Sequence, residues 1–165
     1  MIYDRYTSAL NTIPLLAPQD TAATALTTPY TKLGGAHGGT LFIQFGNIAA
    51  ASADQAVTVT LLAATVQAGT SASAIAFNYR LSSAVGDNAW GNITAATASG
   101  VSIATTDDNK MLAIEINPSQ ILGAKADATY FAATITPDAG GTATLVSAFV
   151  QLEPRVSQAS MVSAT

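Results

Sequence analysis

"AVTVTLLA", Ala56 to Ala63, decides how this chain folds: Val57, Val59 and Leu61 alternate with Thr58 and Thr60. Successive side chains of a strand point to opposite faces, so a period of two describes a strand with one face against a core. A helix would space its apolar residues three and four apart instead. Valine and threonine also suit the pleated conformation, because a branched Cβ packs well on it.

The same period recurs outward in both directions. In "IAFNYRLS" (75–82), Phe77, Tyr79 and Leu81 oppose Asn78, Arg80 and Ser82. In "KMLAIEIN" (110–117), Leu112, Ile114 and Ile116 oppose Ala113 and Glu115. In "TLVSAFVQLE" (144–153), Val146, Ala148, Val150 and Leu152 form one stripe. Turn-forming stretches separate these runs: "GGAHGG", "QAGTSAS", "VGDN", "TTDDNK" and "PDAGG". Strands are expected near 24–32, 40–46, 56–65, 74–82, 90–95, 101–105, 110–117, 129–136 and 143–152. "NPSQIL" after Ile116 predicts one helical turn, with Pro118 setting the first φ. Many short strands at even spacing predict an all-β chain, an antiparallel β-sandwich of jelly-roll-like form. A closed barrel satisfies the same pattern.

The ends differ from the middle. Residues 1–23 carry Pro14, Pro18 and loosely spaced apolar residues, among them Ile2, Tyr3 and Tyr6, and residues 153–165 lack alternation. The expected organisation is an extended N-terminal arm (1–23), one sandwich domain (24–152) and a C-terminal arm or tail (153–165). Such arms lie either on a neighbouring subunit or back on their own sandwich.

Composition narrows the function. Charged residues are 10% of the 165, against about 25% in ordinary soluble domains. Alanine and threonine make up roughly a third of the chain, far above ordinary usage. A surface so poor in charge suits a subunit that buries area in an assembly. The net charge is −4, and Arg5, Lys32, Arg80, Lys110, Lys125 and Arg155 are scattered. Phosphate backbones and anionic membranes need clustered cations, so neither nucleic acid nor membrane is an expected partner. With no cysteine, thiolate metal sites, disulfides and cysteine nucleophiles are excluded. No signal peptide is read at the N-terminus and no apolar run has the length of a membrane span.

No catalytic constellation emerges. His37, the single histidine, stands between glycines at an expected turn tip, with no acid and serine nearby to build a triad. Asp107, Asp108 and Asn109 lack the glycine and distal glutamate of a calcium loop and read as turn residues. Glu115 and Glu153 are the only glutamates, and nothing pairs them across a cleft. The glycine-rich stretches lack the Lys-Ser/Thr of a phosphate loop. The reading is therefore no enzyme, no cofactor and no bound metal. Trp90, the single tryptophan, follows the turn "GDNA" and is read as a core plug or an anchor at a subunit seam.

"AVTVTLLAATVQAGTSASAI", "DNAWGNITAAT", "TTDDNKMLAIEINPSQI" and "VSAFVQLEPRVSQA" together resemble the head decoration, or cement, proteins of tailed bacteriophages. The resemblance covers roughly residues 40–160; the first 38 residues and the GGAHGG turn lie outside it. It rests on strands and turns and carries over no site residue. It implies a small all-β protein, made in the host cytoplasm and carried on the outer surface of an icosahedral head. There it would associate with itself, as a homotrimer, and with the major capsid protein. Ile2, Tyr3, Tyr6, Arg155 and Trp90 are the candidate contacts. An arm role predicts that deleting residues 1–20 abolishes shell binding without unfolding the sandwich. Another virion subunit, of tail or connector, shares this composition. A glycan-binding β-sandwich is the third reading, and it requires an exposed Trp90.

Overall fold

The structure, a computed structural model, describes residues 10–21, 24–48, 57–137 and 144–154. Twelve strands form two antiparallel sheets: β1 (Asn11–Asp20), β2 (Leu26–Thr27), β3 (Thr31–Lys32), β4 (Ala36–Ile48), β5 (Val57–Ala64), β6 (Ser73–Ile75), β7 (Phe77–Leu81), β8 (Thr94–Ala96), β9 (Val101–Ile103), β10 (Met111–Ile116), β11 (Tyr130–Thr136) and β12 (Thr144–Pro154). The larger sheet runs β1-β12-β4-β10-β7-β8 and the smaller β2-β11-β5-β6, with β3 on β11 and β9 on β5. The inward stripes of both sheets meet in one apolar cluster. Val57, Val59 and Leu61 are buried there, as are Leu112, Ile114 and Ile116, and Val146, Ala148, Val150 and Leu152. The all-β sandwich is thus the architecture, built on the alternation expected for it.

The pairing is nested. β1 pairs with β12, β2 and β3 with β11, β4 with β10, and β5 with β6 and β9. The ladders of β12 with β4 and β11 with β5 knit these pairs into sheets, and β7, paired with β10 and β8, extends the larger one.

Several boundaries differ from the sequence expectation. Residues 11–20, placed in the N-terminal arm, are the edge strand of the larger sheet. Pro14 and Pro18 hide the strand from pattern reading, yet an edge tolerates proline because one row of its N–H groups faces away from the sheet. The register slips between Pro14 and Leu16 and again between Leu16 and Gln19. The run near 24–32 divides into two short strands, and Thr28 continues the ladder between them. Its N–H donates to the Ala133 carbonyl at 2.9 Å, and its buried Oγ1 accepts from the Ala133 N–H at 3.0 Å. The run near 74–82 also divides, because the chain passes from the smaller sheet to the larger at Ala76. The Ala76 carbonyl accepts 2.8 Å from the Gln120 side-chain amide, on helix α1 (Pro118–Ala124). That helix begins as expected: Pro118 sits in its first turn, and Asn117 Oδ1 accepts from the Ser119 N–H at 3.0 Å.

β4 starts earlier than expected, inside GGAHGG. Gly39 lies opposite Leu152, and a Cβ there would collide with the Gln151 carbonyl. The glycines admit the close approach of two strands, and the turn falls upstream, at Gly35 with φ +82.

Candidate functional site

Ile2, Tyr3, Tyr6 and Arg155 lie outside the described residues. The points where their segments join the sandwich are described. Asn11 opens β1 opposite Leu152, and Pro154 closes β12. Both terminal segments therefore leave from one corner. A cavity of about 280 Å³ sits there, lined in part by Ile13, Lys32, Gly35, Ala36, Leu152 and Pro154.

Trp90 stands at the other end of the larger sheet. Along β12 and β4, the register row of Leu152 and Gly39 is five residues from that of Ser147 and Gln44, about 17 Å at strand rise. The latter row continues through Met111 of β10 to Ser82, which bridges Trp90. Trp90 is 39% exposed, so the core-plug reading does not hold. Its indole lies on the outer face of the sheet against Phe42, with ring centroids 6.2 Å apart and planes at 56°. Phe42 in turn stacks on Phe149, opposite it on β12, at 5.0 Å and 20°. Offset and tilted ring pairs are favourable because the edge of one ring is positive and the face of the other negative. The sequence reading singled out Trp90 but not Phe42 or Phe149. Their signal was their phase: each is an aromatic residue on the outward side of a strand, between the buried residues of the inward stripe.

One carboxylate shapes the loop that presents Trp90. Asp87 Oδ2 accepts from the Ser83 hydroxyl at 2.6 Å, and Oδ1 accepts from the Ala89 N–H at 3.1 Å. The Ala89 carbonyl accepts from the Ser83 N–H at 3.1 Å, which closes the loop. These bonds, the Ser83 hydroxyl foremost, hold the Asp87 carboxyl below the ordinary aspartate range. A lowered folded pKa means that the contribution is complete above the unfolded value and is lost as pH falls through the folded one. Emission from Trp90, the single tryptophan, is therefore expected to stay constant from neutral pH down to about pH 4 and to shift below it. Asp87→Ala should show the acid-form emission already at pH 7, with a flat profile. An unchanged acid transition in that variant would separate the carboxylate from the loop.

A shallow cavity opens beside Trp90, and a second adjoins it. One, of about 180 Å³, is lined by Gln44, Ser82, Asp87, Trp90, Asn109 and Met111, among others. The next, of about 280 Å³, shares Gln44 and Asn109 and continues to Gly46, Leu145 and Ser147. The side-chain amides of Gln44 and Asn109 have no hydrogen-bond partner among the described residues. Asn109 holds a left-handed backbone at φ +59, and its N–H donates to the Gly46 carbonyl at 3.1 Å.

The other candidates are occupied structurally. Asp107 accepts from the Ala104 N–H at 3.2 Å and pairs with Lys110 at 2.8 Å. Asp108 Oδ1 accepts from the Ile48 N–H at 2.6 Å, tying the turn to the end of β4. Glu115 accepts from the Asn78 amide at 3.3 Å on the outer face. His37 is exposed in the first residues of β4, not at a turn tip. Among the described residues no three potential metal ligands come together, and no helix is long and apolar enough to cross a membrane. Comparison with models of protein families, with curated proteins and with solved structures gives no match.

Proposed function

We propose that this chain is a head decoration, or cement, protein of a tailed bacteriophage. It sits on the outer surface of an icosahedral head, touches the major capsid protein and associates with itself as a trimer. One observation carries the reading. The segments that hold Ile2, Tyr3, Tyr6 and Arg155 join the sandwich side by side, next to a partly apolar cavity. A body with both such segments at one corner can engage neighbours while its sheets stay intact. The charge-poor composition supports close packing of copies. The nested pairing, alternating between two layers, supports the jelly-roll-like form, an architecture found in viral capsid and lectin domains.

The mechanism is linkage. A subunit that binds only the assembled shell stabilises it by mass action. Symmetric repetition multiplies contacts that are individually weak. Purified protein mixed with bare expanded heads is expected to co-sediment with them, saturating at a stoichiometry set by the symmetry of the shell. A monomer that stays in the supernatant overturns the reading. Binding to tails or connectors instead of heads replaces it with the other virion role.

A further inference from the structure

We propose that the Trp90 end of the larger sheet is a binding site for a neutral saccharide. The proposal goes beyond the decoration reading and does not depend on it.

Trp90 supplies a partly exposed ring, braced by Phe42 and presented by the Asp87 loop. Gln44 and Asn109 supply two unpaired amides in the wall of the same cavity. Each amide carries both donors and an acceptor. A pyranose matches this combination, with a flat C–H face for the ring and a rim of hydroxyls that both donate and accept.

Other ligand classes match less well. Among the described residues no lysine or arginine lines either cavity, so a phosphate or other anion finds no countercharge there. Asp87 is the only charged residue in the walls among the described residues, and its two oxygens are already bonded to Ser83 and Ala89. An apolar partner would strip water from the Gln44 and Asn109 amides and return no hydrogen bond, a net cost. The adjoining cavity, which reaches Ser147 past the same two amides, extends the site beyond one sugar unit.

The test uses the full chain and three neutral probes, maltohexaose, chitotriose and mannotriose, followed by NMR at the Trp90 indole and the Gln44 and Asn109 amides. At least one probe is expected to shift these resonances saturably, with a Kd on the order of 1 mM or tighter. Asn109→Gly keeps the left-handed turn and removes one amide; Gln44→Ala removes the other. Each is expected to weaken binding about three- to tenfold, and Trp90→Ala to abolish it, with circular dichroism unchanged. Absence of any saturable shift overturns the proposal, as does binding that both amide variants leave intact. The same resonances moving when the protein alone is concentrated would make this face a contact between copies, and would overturn it too.

Discussion

Phe131→Ala is expected to destabilise the sandwich by about 3–5 kcal/mol, at the upper end for an aromatic deletion. Phe45, Phe77 and Phe131 are the largest fully buried side chains among the described residues. On its own sheet Phe131 is flanked by small groups. Its cross-strand neighbour on β5 is Ala63, and two positions along its own strand stands Ala133, both fully buried. A methyl group cannot lean into the space a phenyl ring leaves, so the cavity persists and its cost adds to the lost transfer energy. Domains are stable by about 5–15 kcal/mol in total. The variant should therefore show a clearly lower urea midpoint at unchanged slope, or fail to fold at 37 °C. A loss under about 1 kcal/mol would mean that this part of the core collapses more readily than its alanines allow.

Two truncations should behave in opposite ways. Removing residues 1–20 takes away the whole of β1. That strand contributes buried Leu15 and the partly buried Ile13 and Leu16 to the core cluster. Their loss is expected to destabilise the protein by about 3–5 kcal/mol. It also uncovers the long outer edge of β12, which carries no proline until Pro154. An uncovered edge of this length is a template for pairing with other chains, so aggregation is expected as well. Removing residues 1–9 leaves every described β1–β12 pair in place. It should change stability by no more than about 0.5 kcal/mol and still lose binding to heads. Urea unfolding and size-exclusion chromatography read the first difference, and co-sedimentation reads the second. If the shorter deletion binds heads normally, Ile2, Tyr3 and Tyr6 are not the contacts.

What could be read in the sequence follows from how much of each strand faces the core. β5, β10 and β12 each keep one face buried along their length, and their alternation is plain. β1 is exposed over its last four residues and slips register at its prolines, so it carries almost no periodic signal. The division of the 74–82 run is invisible to alternation. Ile75 and Phe77 are both buried, one in each sheet, and the period of two runs through the crossing unchanged. The strand expected near 90–95 begins only at Thr94, because the residues before it are held by loop bonds and a single bridge at Trp90.

The Trp90 site shows the same division. A lone tryptophan after a turn was legible as a residue of interest. Its company was not, because Phe42 and Gln44 come from β4 and Asn109 from the turn after β9, stretches that meet the Trp90 loop only in the folded sheet. Burial removes the core-plug reading of Trp90, and burial is a property of the packed chain.

The nested pairing also sets an order of events at the ribosome. β1 emerges well before β12, and they pair with each other. Until β12 is made, β1 has no partner and β4 lacks the neighbour on one of its sides. Contacts so distant in sequence close late, because a long loop must be ordered before any bond rewards it. Folding is expected in the slow range of all-β domains, about milliseconds to seconds, with open sheet edges exposed while it proceeds. Identical chains folding side by side would meet one another's unpaired strands in that interval. The short outer strands of the smaller sheet and the proline-broken β1 leave those strands little straight edge to join.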